Sequence, residues 1–239
     1  MIAFVLAAGF GTRFRPETLS TPKAILLLAG RPILFHVFDH LLAEGAEAFV
    51  VNTHHGAEAL RGVVGESYAG VPVAWSVEEE ILGTAGGIRR AHERGLLGSG
   101  AFVVANGDVA TTLPLGRLLA ARHGADVVSA LAVLPNENAS DTPLWADARG
   151  RLVAVGGDRP AESATGPWIF TGLQAANPAL VARIPGGFAA LAEDVLVPSA
   201  RERDGAFALV PYRIPKDGIW FDLGTRERLA AAEAALAAH

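Results

Sequence analysis

The stretch Leu6-Ala7-Ala8-Gly9-Phe10-Gly11-Thr12-Arg13-Phe14-Arg15-Pro16, followed by Thr21-Pro22-Lys23, decides how the rest of the chain is read. It closes an apolar run, Ile2–Ala8, that has the length of a buried strand and empties into a loop. Gly9 and Gly11 allow that loop to turn tightly and to bring its N–H groups against phosphate oxygens. A helix start just beyond would add its positive dipole end. Arg13, Arg15 and Lys23 place three cations in the same short segment, and they repel one another unless an anion lies between them. A polyphosphate is the expected guest.

Two familiar phosphate loops do not fit. The dinucleotide fingerprint needs a third glycine, but position 14 is Phe, and the second strand ends in Asn52-Thr53 rather than in an acid. No Gly-Lys-Ser/Thr string of the Walker type occurs. Downstream, the pattern alternates. Ile33–Glu44 carries Leu34, Val37, Phe38, Leu41 and Leu42 at helical spacing; strands are expected at 49–52, 71–76 and 101–105, and helices at 57–64 and 85–97. This order predicts an α/β fold, a Rossmann-like α/β/α sandwich with a mostly parallel central sheet. Ligands then sit beyond the carboxyl ends of the strands. The second half reads as β-rich. A strand is expected at 126–134, a hairpin at 144–147 and 151–155 about Arg149-Gly150, further strands at 168–173 and 207–211, and a helix at 225–238 with Thr225 as its cap. One domain is expected, with a nucleotide-binding half over about 1–110, a second half over about 111–225 and a closing helix.

Composition narrows the class. At 51% hydrophobic and 19% charged over 239 residues, the chain is neither disordered nor a charged repeat. The absence of cysteine excludes disulfides, thiolate zinc sites and Cys nucleophiles. A net charge of -5 argues against a nucleic-acid partner. Apolar runs such as Met1–Ala8 and Ala24–Ala29 fall far short of the ~20 residues that span a bilayer. Met1–Ala8 also lacks a basic segment before it, so no signal peptide, no membrane partner and a cytoplasmic location are expected. Of 20 basic residues only Lys23 and Lys216 are lysines, which draws attention to Lys23.

The opening segment resembles the signature of the sugar-1-phosphate nucleotidylyltransferases, or nucleotide-sugar pyrophosphorylases, of the form L-x-A-G-x-G-T-R-x-x-P with a later T-P-K. The resemblance continues in order. Glu80–Gly87 is similar to the family's E-x-L-G-T-A-G stretch, Asn106-Gly107-Asp108 to its G-D, and Trp220–Thr225 to its W-x-D-x-G-T. It implies a GT-A-like fold with a β-rich sugar-binding lobe. It implies that Leu6, Ala7, Ala8, Gly9, Gly11, Thr12 and Arg13 wrap the nucleotide phosphates, with Glu78, Gly83, Thr84 and Asn106 on the nucleoside side. Arg13 and Lys23 are implied as the catalytic cations at the α-phosphate, and Asp108 and Asp222 as ligands of Mg²⁺. Thr171, Gly172 and Glu193 fall where the family builds its sugar pocket. Asp158-Arg159-Pro160 stands where the family often has E-K-P, so Asp158 and Arg159 are expected at the sugar phosphate.

The residues support the aspartate pair on their own. Each follows an apolar strand, and two carboxylates converging there need a cation between them. Mg²⁺ favours one or two carboxylates together with phosphate oxygens. Other candidates read more plainly. His36 and His40, four apart, are expected as a helix-surface pair, His54-His55 as structural and Lys216 as a loop residue. Trp75, Trp145, Trp168 and Trp220 read as core or pocket wall. No G-x-S-x-G elbow occurs. The expected reaction joins an NTP, UTP or GTP, to a sugar 1-phosphate, giving an NDP-sugar and pyrophosphate. Compactness after Thr225 points to relatives without an appended β-helix, first the N-acetylmuramate-1-phosphate uridylyltransferases. Mannose-1-phosphate guanylyltransferases, choline-phosphate cytidylyltransferases and a non-catalytic nucleotide-sugar sensor are the alternatives.

Overall fold

The computed structural model of the chain describes residues 1–121 and 126–237. Its first half is built from strands β1 (Ile2–Leu6), β2 (Ala48–Thr53), β3 (Val71–Val77) and β4 (Phe102–Asn106), alternating with helices α1 (Ile33–Ala43), α2 (Ala57–Val64) and α3 (Gly83–Glu93). β1 lies between β2 and β4, parallel to both, and β3 lies outside β2. Neighbouring residues of β1 face opposite layers, as the period of a strand requires. Ala3 and Val5 join the layer formed with α1 and α2, whereas Phe4 joins Ala85, Ile88 and Ala91 of α3. Helices therefore cover both faces of a mixed sheet.

Beyond β4 the chain adds β5 (Val109–Thr111), α4 (Gly116–Ala121), β6 (Ser129–Pro135), β7 (Leu144–Ala146), β8 (Leu152–Val155), β9 (Thr165–Ala176), α5 (Val197–Glu202), β10 (Phe207–Pro211), β11 (Trp220–Asp222) and α6 (Arg226–Ala237). β9 is twelve residues long and joins the halves: its end pairs antiparallel with β4, and its length with β6 and β7. Among the described residues the main sheet has ten strands, counting the two-residue Ser67–Tyr68 strand at the edge beside β3; β11 and β5 form a separate antiparallel ribbon.

Several boundaries differ from expectation for local reasons. α3 begins at Gly83 rather than 85, because the Ala189 carbonyl accepts from the N–H groups of Ala85 and Gly86 at 3.0 and 3.2 Å. It ends at Glu93 rather than 97, because Gly95 turns left-handed (φ 73°) and its N–H closes on the His92 carbonyl. β6 begins at Ser129 rather than 126, where Ala206 supplies the N–H of Val128 with its acceptor. Thr225 precedes α6 and its hydroxyl accepts from the Arg228 N–H at 3.3 Å; Ala238 lies outside the described residues. The hairpin about Arg149-Gly150 forms between β7 and β8, and Lys216 is exposed in a turn. His36 and His40 are not on the surface. Both are partly buried: Nε2 of His36 meets the Leu28 carbonyl at 2.9 Å, and Nε2 of His40 is buried without a hydrogen-bond partner. Burial holds the His40 imidazole below its ordinary pKa.

Candidate active site

A cleft of about 320 Å³ opens beyond the carboxyl ends of β1, β2, β3 and β4. Its floor is the loop after β1. Gly11 takes φ 58°, and a side chain there would press on Thr18 at 2.9 Å, while the Thr18 hydroxyl donates to the Gly11 carbonyl at 2.7 Å. Close backbone contact also dictates Gly107, where a Cβ would stand 2.5 Å from the Leu6 carbonyl oxygen. Leu6, Ala7, Ala8, Gly9, Gly11, Thr12 and Arg13 line the cleft, as do Lys23, Glu78, Gly83, Thr84, Asn106 and Asp108.

One lining residue was read from the sequence only as the wrong ending for a dinucleotide strand. Asn52, 2% exposed, accepts from the Ala7 N–H at 2.7 Å and donates to Glu78 Oε1 at 2.8 Å. Glu78, 3% exposed, accepts from the Leu82 N–H through its other oxygen at 2.9 Å. The pair therefore ties the opening loop to the start of α3, and each buried polar atom is paired, as burial demands. Gly87 is required beside it, since a Cβ would lie 2.8 Å from both side chains. The detectable signal was a polar residue closing an otherwise apolar strand.

The acidic positions meet through the β5–β11 ribbon. Asp222 pairs opposite Val109, and the Leu223 N–H donates to the Asp108 carbonyl at 2.9 Å, so residues 108 and 222 occupy neighbouring strand ends. Each carboxylate is partly buried and paired with a cation of the chain: Asp108 with Lys23 Nζ at 2.5 Å, Asp222 with Arg228 Nη1 at 2.5 Å. Arg228 also reaches toward Asp141 at 3.7 Å. Arg13 converges on the same spot. A methyl group on Gly224 would lie 2.8 Å from both terminal nitrogens of Arg13 and 2.9 Å from Asp222 Oδ1. Three cations, Arg13, Lys23 and Arg228, thus stand among three carboxylates, Asp108, Asp141 and Asp222, so each acid of this corner has a positive neighbour.

The donor set fits Mg²⁺. Two carboxylates stand beside an open, cation-lined cleft, and among the described residues no group of three or more His, Asp or Glu side chains gathers to enclose an ion. That leaves coordination to be completed by phosphate oxygens and water, the arrangement Mg²⁺ prefers.

The sugar-side expectations are placed differently. Gly172 (φ 84°) backs directly on Asn106, with a Cβ position 2.9 Å from its Nδ2, and Thr171 is buried with its hydroxyl on the Ala132 carbonyl. They border the cleft wall without lining it. Asp158 and Glu193 are exposed and do not line the cleft. Arg159 is turned onto its own loop, donating to the carbonyls of Glu162 and Ala164 at 2.5 to 2.9 Å, rather than toward the cleft. The guanidinium fork thus satisfies two carbonyls of that turn.

Residues 2–141 match the Nucleotidyl transferase family. The chain belongs to that family. Among curated nucleotidyl transferases, it is 30% identical over 261 residues to N-acetylmuramate alpha-1-phosphate uridylyltransferase of Caulobacter vibrioides, covering 99% of this chain and 97% of that protein. It is 29% identical over 235 residues to probable mannose-1-phosphate guanylyltransferase 2 of Arabidopsis thaliana, covering 94% of this chain and 62% of that one. The chain thus spans about three fifths of the plant proteins it matches. In three dimensions it is similar to HddC from Yersinia pseudotuberculosis, with a TM-score of 0.80 at 19% identity over 98% of this chain and 99% of the other. A UDP-glucose pyrophosphorylase complexed with UDP-glucose superposes with a TM-score of 0.76 at 17% identity, covering 99% and 98% of the two chains. No helix among the described residues is long and apolar enough to cross a membrane.

Proposed function

We propose that this chain transfers a nucleotidyl group from a nucleoside triphosphate to a sugar 1-phosphate, releasing pyrophosphate. The observation that carries this reading is the meeting of Arg13, Lys23, Asp108 and Asp222 at one end of a cleft floored by a glycine loop. An oxygen of the sugar phosphate attacks the α-phosphorus in line, the bond to the bridging oxygen breaks, and pyrophosphate leaves with the electron pair. The attacking oxygen is already anionic, so no general base is needed.

Catalysis then rests on positioning and charge neutralisation. The loop 9–13 offers backbone N–H groups to the phosphates. Arg13 and Lys23 neutralise the charge that builds on the α-phosphate and on the leaving group. Asn52 and Glu78 hold the loop against α3, where Gly83 and Thr84 face the nucleoside. Asp108 and Asp222 would hold Mg²⁺, which supplies Lewis-acid neutralisation of the phosphate oxygens when bound.

For substrate we propose UTP and N-acetylmuramate 1-phosphate. The 30% identity to the Caulobacter uridylyltransferase over 99% of this chain supports this reading. A second reading, GTP with mannose 1-phosphate, is supported by the number of matches bearing that name, one of them 39% identical over 118 residues. A pyrophosphate-release assay across four NTPs and a panel of sugar phosphates tests both. The highest kcat/KM is expected with UTP and N-acetylmuramate 1-phosphate. Higher turnover with GTP and mannose 1-phosphate would transfer the assignment to the second reading, and no release from any pair would overturn the function.

A further inference from the structure

One guanidinium at the start of α6 is not used by the chemistry above, yet it grips the opening loop at four points. Arg226 Nη1 donates to Glu17 Oε1 at 2.7 Å, and Nη2 donates to Glu17 Oε2. Nη2 also reaches the carbonyls of Phe14 at 3.3 Å and of Arg15 at 3.2 Å. The contact joins residues 209 to 212 positions apart in the sequence. On one side lies the turn immediately after Arg13; on the other, the helix that begins four residues after Asp222.

Both flanked residues border Gly224, where a Cβ would lie 2.8 Å from the Arg13 terminal nitrogens and 2.9 Å from Asp222 Oδ1. Arg13 is exposed and sits on a three-residue turn closed by single hydrogen bonds, Phe14 N–H to Gly11 and Arg15 N–H to Thr12. Such a turn leaves the direction of its side chain loosely set. The carbonyls of Phe14 and Arg15 are the next handles along it, and Arg226 holds both. The hydrogen bond from Arg226 also lowers the pKa of the Glu17 carboxyl from its ordinary value.

We propose that Arg226 is a positioning residue: by strapping the 14–17 turn to the start of α6, it sets the Arg13 guanidinium against Asp222. The inference rests on the functional reading above and names a device within that same site. A solvent-exposed ion pair adds little to stability, so the strap's effect belongs to geometry rather than to folding. The planar fork matters, since a lysine ammonium cannot hold two carboxylate oxygens and two carbonyls at once.

The test compares wild type, Arg226→Ala, Arg226→Lys and Glu17→Gln. It measures kcat and KM by pyrophosphate release, NTP binding by calorimetry without divalent metal, and Tm. Arg226→Ala is expected to lower kcat by roughly tenfold or more, the cost of a misplaced catalytic group. NTP affinity should stay within about threefold, and Tm within about 3 °C. Arg226→Lys should recover only part of the loss, and Glu17→Gln should fall between. Unchanged kcat in Arg226→Ala, or full recovery by Lys, overturns the strap. Should Arg226→Ala not fold, unchanged kcat in Glu17→Gln overturns it instead. A wild-type chain that neither binds nor turns over any NTP overturns the functional reading and the strap with it, whereas an active wild type matched by Arg226→Ala overturns the strap alone.

Discussion

The residues proposed for the nucleotide and those expected from the sequence for the acceptor are held by opposite means. On the first, tertiary contacts fix each polar group: Asn52 and Glu78 are buried and fully paired, and Gly87 and Gly107 exist because neighbours stand where a Cβ would go. On the second, Asp158 and Glu193 face solvent, and Arg159 is bound to its own loop. A side built by buried networks tolerates little change, while an exposed loop can change residues at small cost in stability.

The largest effect expected from breaking this contrast is on the preorganised side. Asp108→Asn should lower kcat by about two powers of ten or more, since the same carboxylate is the partner of Lys23 and a proposed holder of Mg²⁺. Pyrophosphate release with the fold checked by circular dichroism measures it, and near-wild-type kcat would remove Asp108 from the assignment. Gly107→Ala comes next. Its methyl group meets the Leu6 carbonyl at 2.5 Å, so about 1–3 kcal/mol of stability should be lost in urea denaturation.

On the acceptor side the expected change is small. Arg159→Ala should alter KM for the sugar phosphate by less than about threefold, as for a side chain engaged with its own turn. A tenfold rise would mean that the loop opens when the acceptor binds, and the contrast would dissolve. The smallest effect is a pH slope. Burial lowers the His40 pKa, so the folded chain keeps it neutral while the unfolded chain protonates it first. Stability should decline as pH falls below the ordinary imidazole range, and His40→Gln should flatten that decline in thermal melts.

How much of this was legible in the sequence follows the same division. The opening loop could be read because its glycines and cations are contiguous, and α1 and β1 because their apolar periods are regular. Asp108 and Asp222 could each be recognised as acids after strands. Their meeting was expected from the resemblance, but the ribbon that brings it about was not legible, because its strand Val109–Thr111 is three residues long and shows no period. Asn52 hid for a different reason: a polar strand end looks like the onset of a turn until its burial is known. Arg159 was placed by its position in a motif, but the open carbonyls of its own turn decide where the guanidinium points. The helical histidines misled because spacing gives the face of a helix and not what covers it.

The three-residue ribbon that unites the two acids has a consequence for how the protein is made. Val109–Thr111 leaves the ribosome early, and its mate at 220–222 follows only after more than a hundred further residues have been translated. Until then the nascent chain carries a glycine loop and one acid without the other, so the catalytic corner is among the last features to mature. Slowing translation late in the message should therefore delay the appearance of activity far more than that of the parallel sheet.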